Sequence, residues 1–168
     1  VGGLFDTRMG TLDPGIICPT DGLDYIQCPG YFGHIELAKP VFYIQYLGTI
    51  ERIAKCICIK CSKLLVDKTK YRSLMTLSAD KRWSYVQNLC TKISRCGESS
   101  VTGCGCLQPS KYKQDGFATI VAEWKDPEQA LSLKITPEMF IKIFRRISDE
   151  DISFMGFSPV WSRPEWMI

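Results

Sequence analysis

Cys58-Ile59-Lys60-Cys61, followed further on by Cys96 and by Thr102-Gly103-Cys104-Gly105-Cys106, sets the terms for this chain. A C-x-x-C spacing lets two thiolates point at one ion. Cys96 and a cysteine of the Gly-rich loop supply two more. Four thiolates at about 2.3 Å in a tetrahedron make a closed structural zinc site. Such a site leaves no corner for water, so it holds shape and performs no chemistry. Buried reduced cysteines are the bland alternative, but a loop this polar offers thiols no core to hide in. Spacing alone leaves Cys104 and Cys106 as alternatives for the fourth ligand.

Around that constellation the chain has ordinary globular proportions: 168 residues, 45% hydrophobic and 23% charged. Those figures exclude a disordered tail, a collagen-like chain and a coiled coil. The longest uncharged apolar run, residues 40–50, falls well short of the roughly 18 residues of a membrane helix. The chain starts at Val1 and shows no basic-then-apolar leader, so we expect no signal peptide and a piece of something longer. Nine Cys (18, 28, 56, 58, 61, 90, 96, 104 and 106) accompany a single His, His34. An odd Cys count with a C-x-x-C pair and no secretory leader points to a reducing compartment and metal binding over disulfides. One His leaves few options for acid–base chemistry at neutral pH.

The net charge of +3 hides an asymmetry. Residues 52–113 hold 13 Lys and Arg against three acids (Asp67, Asp80 and Glu98), a net of +10. The remaining residues carry a net of −7. A basic middle between acidic ends gives one surface a positive potential, the footprint expected beside a polyanion. A solvated face on helices and loops is the competing explanation.

A second cysteine set lies near the start. Cys18-Pro19-Thr20-Asp21 has the C-x-x-C gap with a carboxylate in the second place, and Cys28-Pro29-Gly30-Tyr31 and Gly33-His34 follow. Cys18, Asp21, Cys28 and His34 form a candidate mixed zinc site, since carboxylate oxygen and imidazole nitrogen are both zinc ligands. A loop without metal is the alternative.

The element pattern is mixed. Residues 1–38, rich in Gly and Pro, read as turns that need outside support. Pro40 opens a helical pattern in which Tyr43, Leu47, Ile50 and Ala54 share a face, with Tyr46 and Ile53 beside them. Gly48 weakens its middle, which points to another element packing closely there. Residues 69–95 read as helix with Leu74, Leu77, Trp83, Val86, Leu89 and Ile93 buried. Residues 117–124 form the best strand, with Ala118, Ile120, Ala122 and Trp124 on one face, and 131–135 can pair with it as a hairpin. Thr136 caps a helix opened by Pro137 and Glu138, whose stripe is Met139, Ile143 and Ile147 with Phe140 and Phe144. Ser148 with Asp151 makes a capping box for a second short helix, closed by Gly156. Residues 157–168 read as extended and aromatic.

Three stretches together resemble a known family. Gly2-Gly3-Leu4-Phe5-Asp6-Thr7-Arg8-Met9-Gly10 looks like the G-G-x-x-D-x-R-x-G segment near the start of the largest subunit of multisubunit DNA-directed RNA polymerases. The stretch from Cys28-Pro29-Gly30-Tyr31-Phe32-Gly33-His34 through Pro40-Val41-Phe42 resembles C-P-G-H-F-G-H-I-x-L-A-x-P-V-x of that family. Ser162-Arg163-Pro164-Glu165-Trp166-Met167-Ile168 is similar to its R-P-E-W-x-I segment. The three lie in the family's order and span almost the whole chain, closest to the eukaryotic polymerase II type and its viral relatives.

The resemblance implies the N-terminal clamp region, core and head, which swings over the DNA cleft and holds the downstream duplex and the RNA–DNA hybrid. It implies that Cys58, Cys61, Cys96 and Cys104 are the clamp zinc ligands. Gly105, Gln108 and Pro109 fit the same pattern and favour Cys104 over Cys106, with Cys56 a neighbour. The other clamp zinc site of the family reads C-x-x-C, then C-P-G-H. Here Asp21 stands for the second Cys and Tyr31 for the His, so two of four ligands are replaced, and His34 is not normally a ligand. The catalytic magnesium of the family sits in N-A-D-F-D-G-D, a motif this sequence does not contain. Asp149, Glu150 and Asp151 are better explained by a helix dipole than by magnesium.

The expected fold is therefore α+β and irregular, with helices around a small antiparallel sheet. Residues 1–55 and 114–168 make a clamp core, and 56–113 a zinc-pinned basic head lobe. The expected cofactor is one structural zinc, with magnesium only in the parent enzyme. DNA-facing candidates are Lys60, Lys63, Lys68, Lys70, Arg72, Lys92, Arg95, Lys111 and Lys113. Partners implied are DNA, the RNA–DNA hybrid and other polymerase subunits, especially the second-largest, with no membrane. The location implied is the nucleus, or a viral factory if the parent is viral. An independent zinc-stabilised protein-interaction module is the alternative function. A thiol enzyme with Cys28 as nucleophile and His34 as base lacks a third orienting group.

Overall fold

The computed structural model describes residues 2–100, 102–116, 119–125 and 131–168. The chain divides into two units, Val1–Lys39 and Pro40–Ile168. The first is built of turns, as its Gly and Pro content requires. One short 3-10 turn, Thr7–Met9, is capped by Asp6, whose side chain accepts the Arg8 N–H. The Arg8 guanidinium also grips Asp6 through both carboxylate oxygens, at 3.0 and 2.7 Å. This fork is the physical content of the D-x-R motif, and it holds the Asp6 carboxyl far below the usual carboxylate range. Among the described residues of this unit only Thr11 and Cys18 are buried.

The second unit carries the apolar core. Helix α1 (Leu47–Cys56) buries Leu47, Ile50, Ile53, Ala54 and Cys56 along one stripe. It packs on α2 (Ala79–Cys90), which contributes Val86 and Cys90, and on strand β1 (Lys111–Asp115). Strands β1, β2 (Thr119–Trp124) and β3 (Leu131–Ile135) form an antiparallel sheet in that order. In register, Tyr112 faces Ala122 and Ile120 faces Ile135, and all four are buried. The Tyr112 hydroxyl donates to the Ala54 carbonyl at 3.3 Å, tying the sheet to α1. The opposite face is polar, with Lys113 paired to Glu123 at 2.6 Å and Lys134 to Asp115 at 2.9 Å.

Helix α3 (Pro137–Phe144) starts as expected, with the Thr136 side chain accepting the Met139 N–H and Pro137 in the first turn. Helix α4 (Asp149–Met155) is capped by Ser148, which accepts the Asp151 N–H at 3.2 Å. Gly156 ends it at φ 103°, and the Phe157 N–H reaches back to the Ile152 carbonyl. A Cβ at Gly156 would lie 2.7 Å from the Ala79 carbonyl oxygen of α2, so glycine is required twice over. No helix among the described residues is long and apolar enough to cross a membrane.

Several expectations are corrected. Helix α1 starts at Leu47, after a 3-10 turn over Ile44–Tyr46, and Tyr43 and Tyr46 remain exposed. Gly48 therefore sits in the first turn, where only the Arg52 guanidinium comes near. Residues 69–95 hold a 3-10 turn (Arg72–Thr76) and then α2, not one helix. Of the six side chains expected inside, Val86 is fully buried; the others are partly so. On α3 the buried stripe is Phe140, Phe144 and then Ile147, while Met139 is exposed. Phe140 makes the difference, because its ring packs edge-on to Phe42 at 5.7 Å and against Phe144 at 5.3 Å. Periodicity could not see those partners. Strand β1 is not visible in the residue pattern, because Lys111, Lys113 and Asp115 hide one buried Tyr112. The C-terminal stretch turns into a 3-10 helix, Pro164–Met167. Phe117, Ala118 and the hairpin connection at 126–130 lie outside the described residues.

The stripe correction has a measurable consequence. Phe140→Ala is expected to cost about 3–5 kcal/mol of stability, and Met139→Ala less than about 1 kcal/mol. Hydrogen exchange of the α1 and α3 amides reads both, and equal losses would restore the stripe predicted by spacing.

Candidate metal centre

Two tight loops present the four sulfurs. The first follows α1 directly. Cys58 N–H donates to the Lys63 carbonyl and Ser62 N–H to the Cys58 carbonyl, both at 2.8 Å, while Ile57 bridges to Leu64. The turn needs a left-handed residue, and Ser62 takes that place at φ 60°. The second loop is closed by Cys96 N–H to the Cys106 carbonyl and Gly105 N–H to the Cys96 carbonyl, both at 2.9 Å. Arg95 bridges to Leu107 behind it. Gly97 (φ 94°) and Gly103 lie backbone against backbone, and a Cβ on Gly103 would overlap the Gly97 backbone. The glycines are therefore what lets this loop fold over itself.

Cys58, Cys61, Cys96 and Cys104 have their sulfurs within 4.8 Å of one another. Cys58 and Cys104 are 3.5 Å apart, and Cys61 and Cys96 3.7 Å. A tetrahedron with metal–sulfur bonds of about 2.3 Å has edges of about 3.8 Å. The donor set thus fits one tetrahedral, thiophilic ion. Cys106, the open alternative, stays outside the group and points its thiol at the Leu107 carbonyl. Cys56 also stays out; its carbonyl receives the buried Cys90 thiol at 3.7 Å.

Electrostatics around the sulfurs are uneven. Burial pushes the Cys96 thiol up to about 12 and raises Cys61 as well. The Cys106 backbone N–H, aimed at Cys104, brings that thiol down to about 7. Four thiolates in one place repel strongly, and a dication is the natural counter-charge. Gln108 is the residue that spacing did not single out for a role. Buried, it donates Nε2–H to Cys58 Sγ at 3.2 Å and to the Cys106 carbonyl at 2.8 Å, and accepts the Ile59 N–H at 3.1 Å. It therefore joins both loops and the sulfur of Cys58. Outer partners of this kind orient ligands and tune affinity.

The N-terminal set is brought together in part. Ligand atoms of Cys18, Asp21 and Cys28 lie within 4.8 Å of one another, and His34 is not in the group. That corrects the expected four-member set: His34 instead lines a shallow surface cavity with Asp6, Arg8 and Met9.

The nine basic candidates separate by what they touch. Lys68 is committed to Asp151 at 2.7 Å and Glu150 at 3.0 Å, and Lys113 to Glu123. Lys63 donates to the Thr102 carbonyl and Arg95 to the Gly105 carbonyl, so both brace the sulfur loops. Lys60, Lys70, Arg72, Lys92 and Lys111 are exposed, and among the described residues no carboxylate pairs with them. The acids at the start of α4 are spent on ion pairs, Asp149 with Arg163 and Glu150 with Lys68, and Asp151 also accepts the Leu64 N–H.

The second unit is a mixed helical and small-sheet fold in which two loops gather four sulfurs at one point, a donor set of the kind found in structural metal sites. A family model described as RNA polymerase Rpb1, domain 1, matches residues 1–168, and the chain belongs to that family. It is also similar to the DNA-directed RNA polymerase II subunit RPB1 of Euplotoides octocarinatus, with 38% identity over 181 residues. That match covers 99% of this chain and 37% of the relative. The RPEW segment has its own explanation here: Arg163 pairs with Glu165 at 2.7 Å and holds Asp149 of α4.

Cys58→Ser is expected to remove one metal ion per chain, and Cys106→Ser none, by native mass spectrometry. Gln108→Leu is expected to keep the ion but weaken its binding by about 10–100-fold, measured by competition with a chelator. Retention of the ion in Cys58→Ser would refute the four-sulfur assignment.

Proposed function

We propose that this chain is the N-terminal clamp part of the largest subunit of a DNA-directed RNA polymerase, where it holds DNA and the RNA–DNA hybrid in the cleft during transcription. The observation that carries this reading is the family match along the whole chain, joined to a basic segment in which five exposed cations pair with no carboxylate among the described residues. Residues 1–55 and 114–168 would be the clamp core, and 56–113 the head lobe. The cluster of Cys58, Cys61, Cys96 and Cys104 would hold one zinc ion, which fixes the two loops and supplies no reaction step.

Lys60, Lys70, Arg72, Lys92 and Lys111 are the cations available to meet phosphates in this reading. Lysine and arginine on phosphates give sequence-independent, salt-sensitive holding, which suits an enzyme that slides along any template. Nucleotidyl transfer belongs to the whole enzyme, with its magnesium outside this chain. The second-largest subunit is the partner expected across the cleft, and the polymerase II relative supports a nuclear location over a viral factory.

A second reading, a zinc-stabilised module that binds protein, is favoured by exposed Val160, Trp161 and Trp166. Salt dependence separates the two. Changing Lys60, Lys70, Arg72 and Lys92 to Gln in the assembled enzyme is expected to shorten template retention as salt rises. The slope of log affinity against log salt should shrink by about 1 for each phosphate left without its cation. An unchanged slope would favour the protein-binding module.

A further inference from the structure

The N-terminal unit contains three metal-ligating side chains and a fourth side chain that is not one. Cys18, Asp21 and Cys28 converge, and the group facing Asp21 is the phenol of Tyr31. We propose that the Asp21 carboxylate and the Tyr31 hydroxyl, hydrogen-bonded to each other, close this unit in place of a metal ion, and leave Cys18 and Cys28 as free thiols. The inference does not depend on the polymerase reading.

Asp21 already has its donors. Its Oδ2 accepts the Tyr31 O–H at 3.0 Å, and its Oδ1 accepts the Leu23 N–H at 2.9 Å. A carboxylate held by neutral donors on both oxygens is satisfied without a cation. Tyr31, for its part, keeps its proton near neutral pH and spends it on Asp21. A closed structural zinc centre wants four Cys, His or carboxylate donors, and only three are in the group. His34 does not supply the missing one.

The backbone is arranged so that this pair is the tie. Residues 18–23 form a self-closed turn, with Cys18 N–H on the Leu23 carbonyl at 2.9 Å and Gly22 N–H on the Cys18 carbonyl at 2.8 Å. Cys28 closes a second turn by donating to the Asp24 carbonyl at 2.9 Å. Tyr31 N–H then anchors the following stretch on the Met9 carbonyl at 2.7 Å. Each turn is complete in its own backbone bonds. The Asp21–Tyr31 hydrogen bond bridges the first turn to the stretch after the second. This group has two sulfurs and one carboxylate that already holds a hydroxyl and an amide, whereas the other cluster offers four sulfurs.

The test uses the intact protein in the assembly from which it is purified, with metal counted per complex by inductively coupled plasma mass spectrometry. Cys18→Ser is expected to leave the count unchanged, with Cys58→Ser as the comparison. Loss of one metal ion in Cys18→Ser would overturn the proposal. Cys28, half-buried, is expected to react with N-ethylmaleimide at the same rate with and without a zinc chelator. A rate that rises on chelation would overturn it equally. Tyr31→Phe preserves shape and removes only the hydroxyl. It is expected to speed hydrogen exchange at the Leu23 amide by about tenfold, the size of one hydrogen bond. Unchanged exchange would show that the pair does not close the unit.

Discussion

Four sulfurs from two loops meeting at one point is the constraint from which the rest of the second unit follows. Thiols at 3.5 and 3.7 Å demand that residues 58–63 and 96–106 each fold back on themselves. That in turn demands a left-handed Ser62 and close approach of the Gly97 and Gly103 backbones. Because the first loop begins directly after α1, and the second runs straight into β1, the cluster also fixes where helix and sheet meet. Gln108 sits at that junction, bonded to both loops at once. Removing it would leave buried polar groups on two sides, which is costlier than losing one bond.

A second brace works through charge. Asp151 looks from sequence like half of a capping box, and Ser148 does cap α4. The Asp151 carboxylate, however, accepts the Leu64 N–H and pairs with Lys68, so it ties α4 to the chain just after the first sulfur loop. Arg163 does the same from the far end, holding Asp149 and Glu165. These internal pairs decide which cations are left without a carboxylate partner among the described residues. Of nine basic candidates, the ones nearest the acids of α4 and β2 are already neutralised, and Lys63 and Arg95 brace carbonyls.

The two cysteine groups also illustrate how ligand chemistry outranks spacing. Both have a C-x-x-C-type gap, and both bring side chains within ligand distance. One offers four soft sulfur donors at spacings that suit a tetrahedral ion. The other offers a carboxylate already bonded to a phenol and an amide. Similar backbone knuckles thus present different donor sets.

Much of this is legible in residue order alone, wherever the cause is local. The caps at Thr136 and Ser148, the glycine stop at 156, strands β2 and β3, and the C-x-x-C knuckle are short-range matters of φ, hydrogen-bond donors and side-chain reach. Motif resemblance points to the polymerase family and to Cys104 over Cys106. What only the tertiary structure decided is what distant partners impose. Of the side chains expected on the α3 stripe, Phe140 is buried because Phe42 lies across from it, while Met139 is left exposed. Lys-rich β1 is a strand because one Tyr112 finds Ala54 and the sheet behind it. Asp151, Gln108 and Tyr31 acquire their roles from Leu64, Cys58 and Asp21, each many residues away. Local sequence sets the conformation a segment prefers; burial and pairing across the fold set which of its side chains are spent there and which are left free to act.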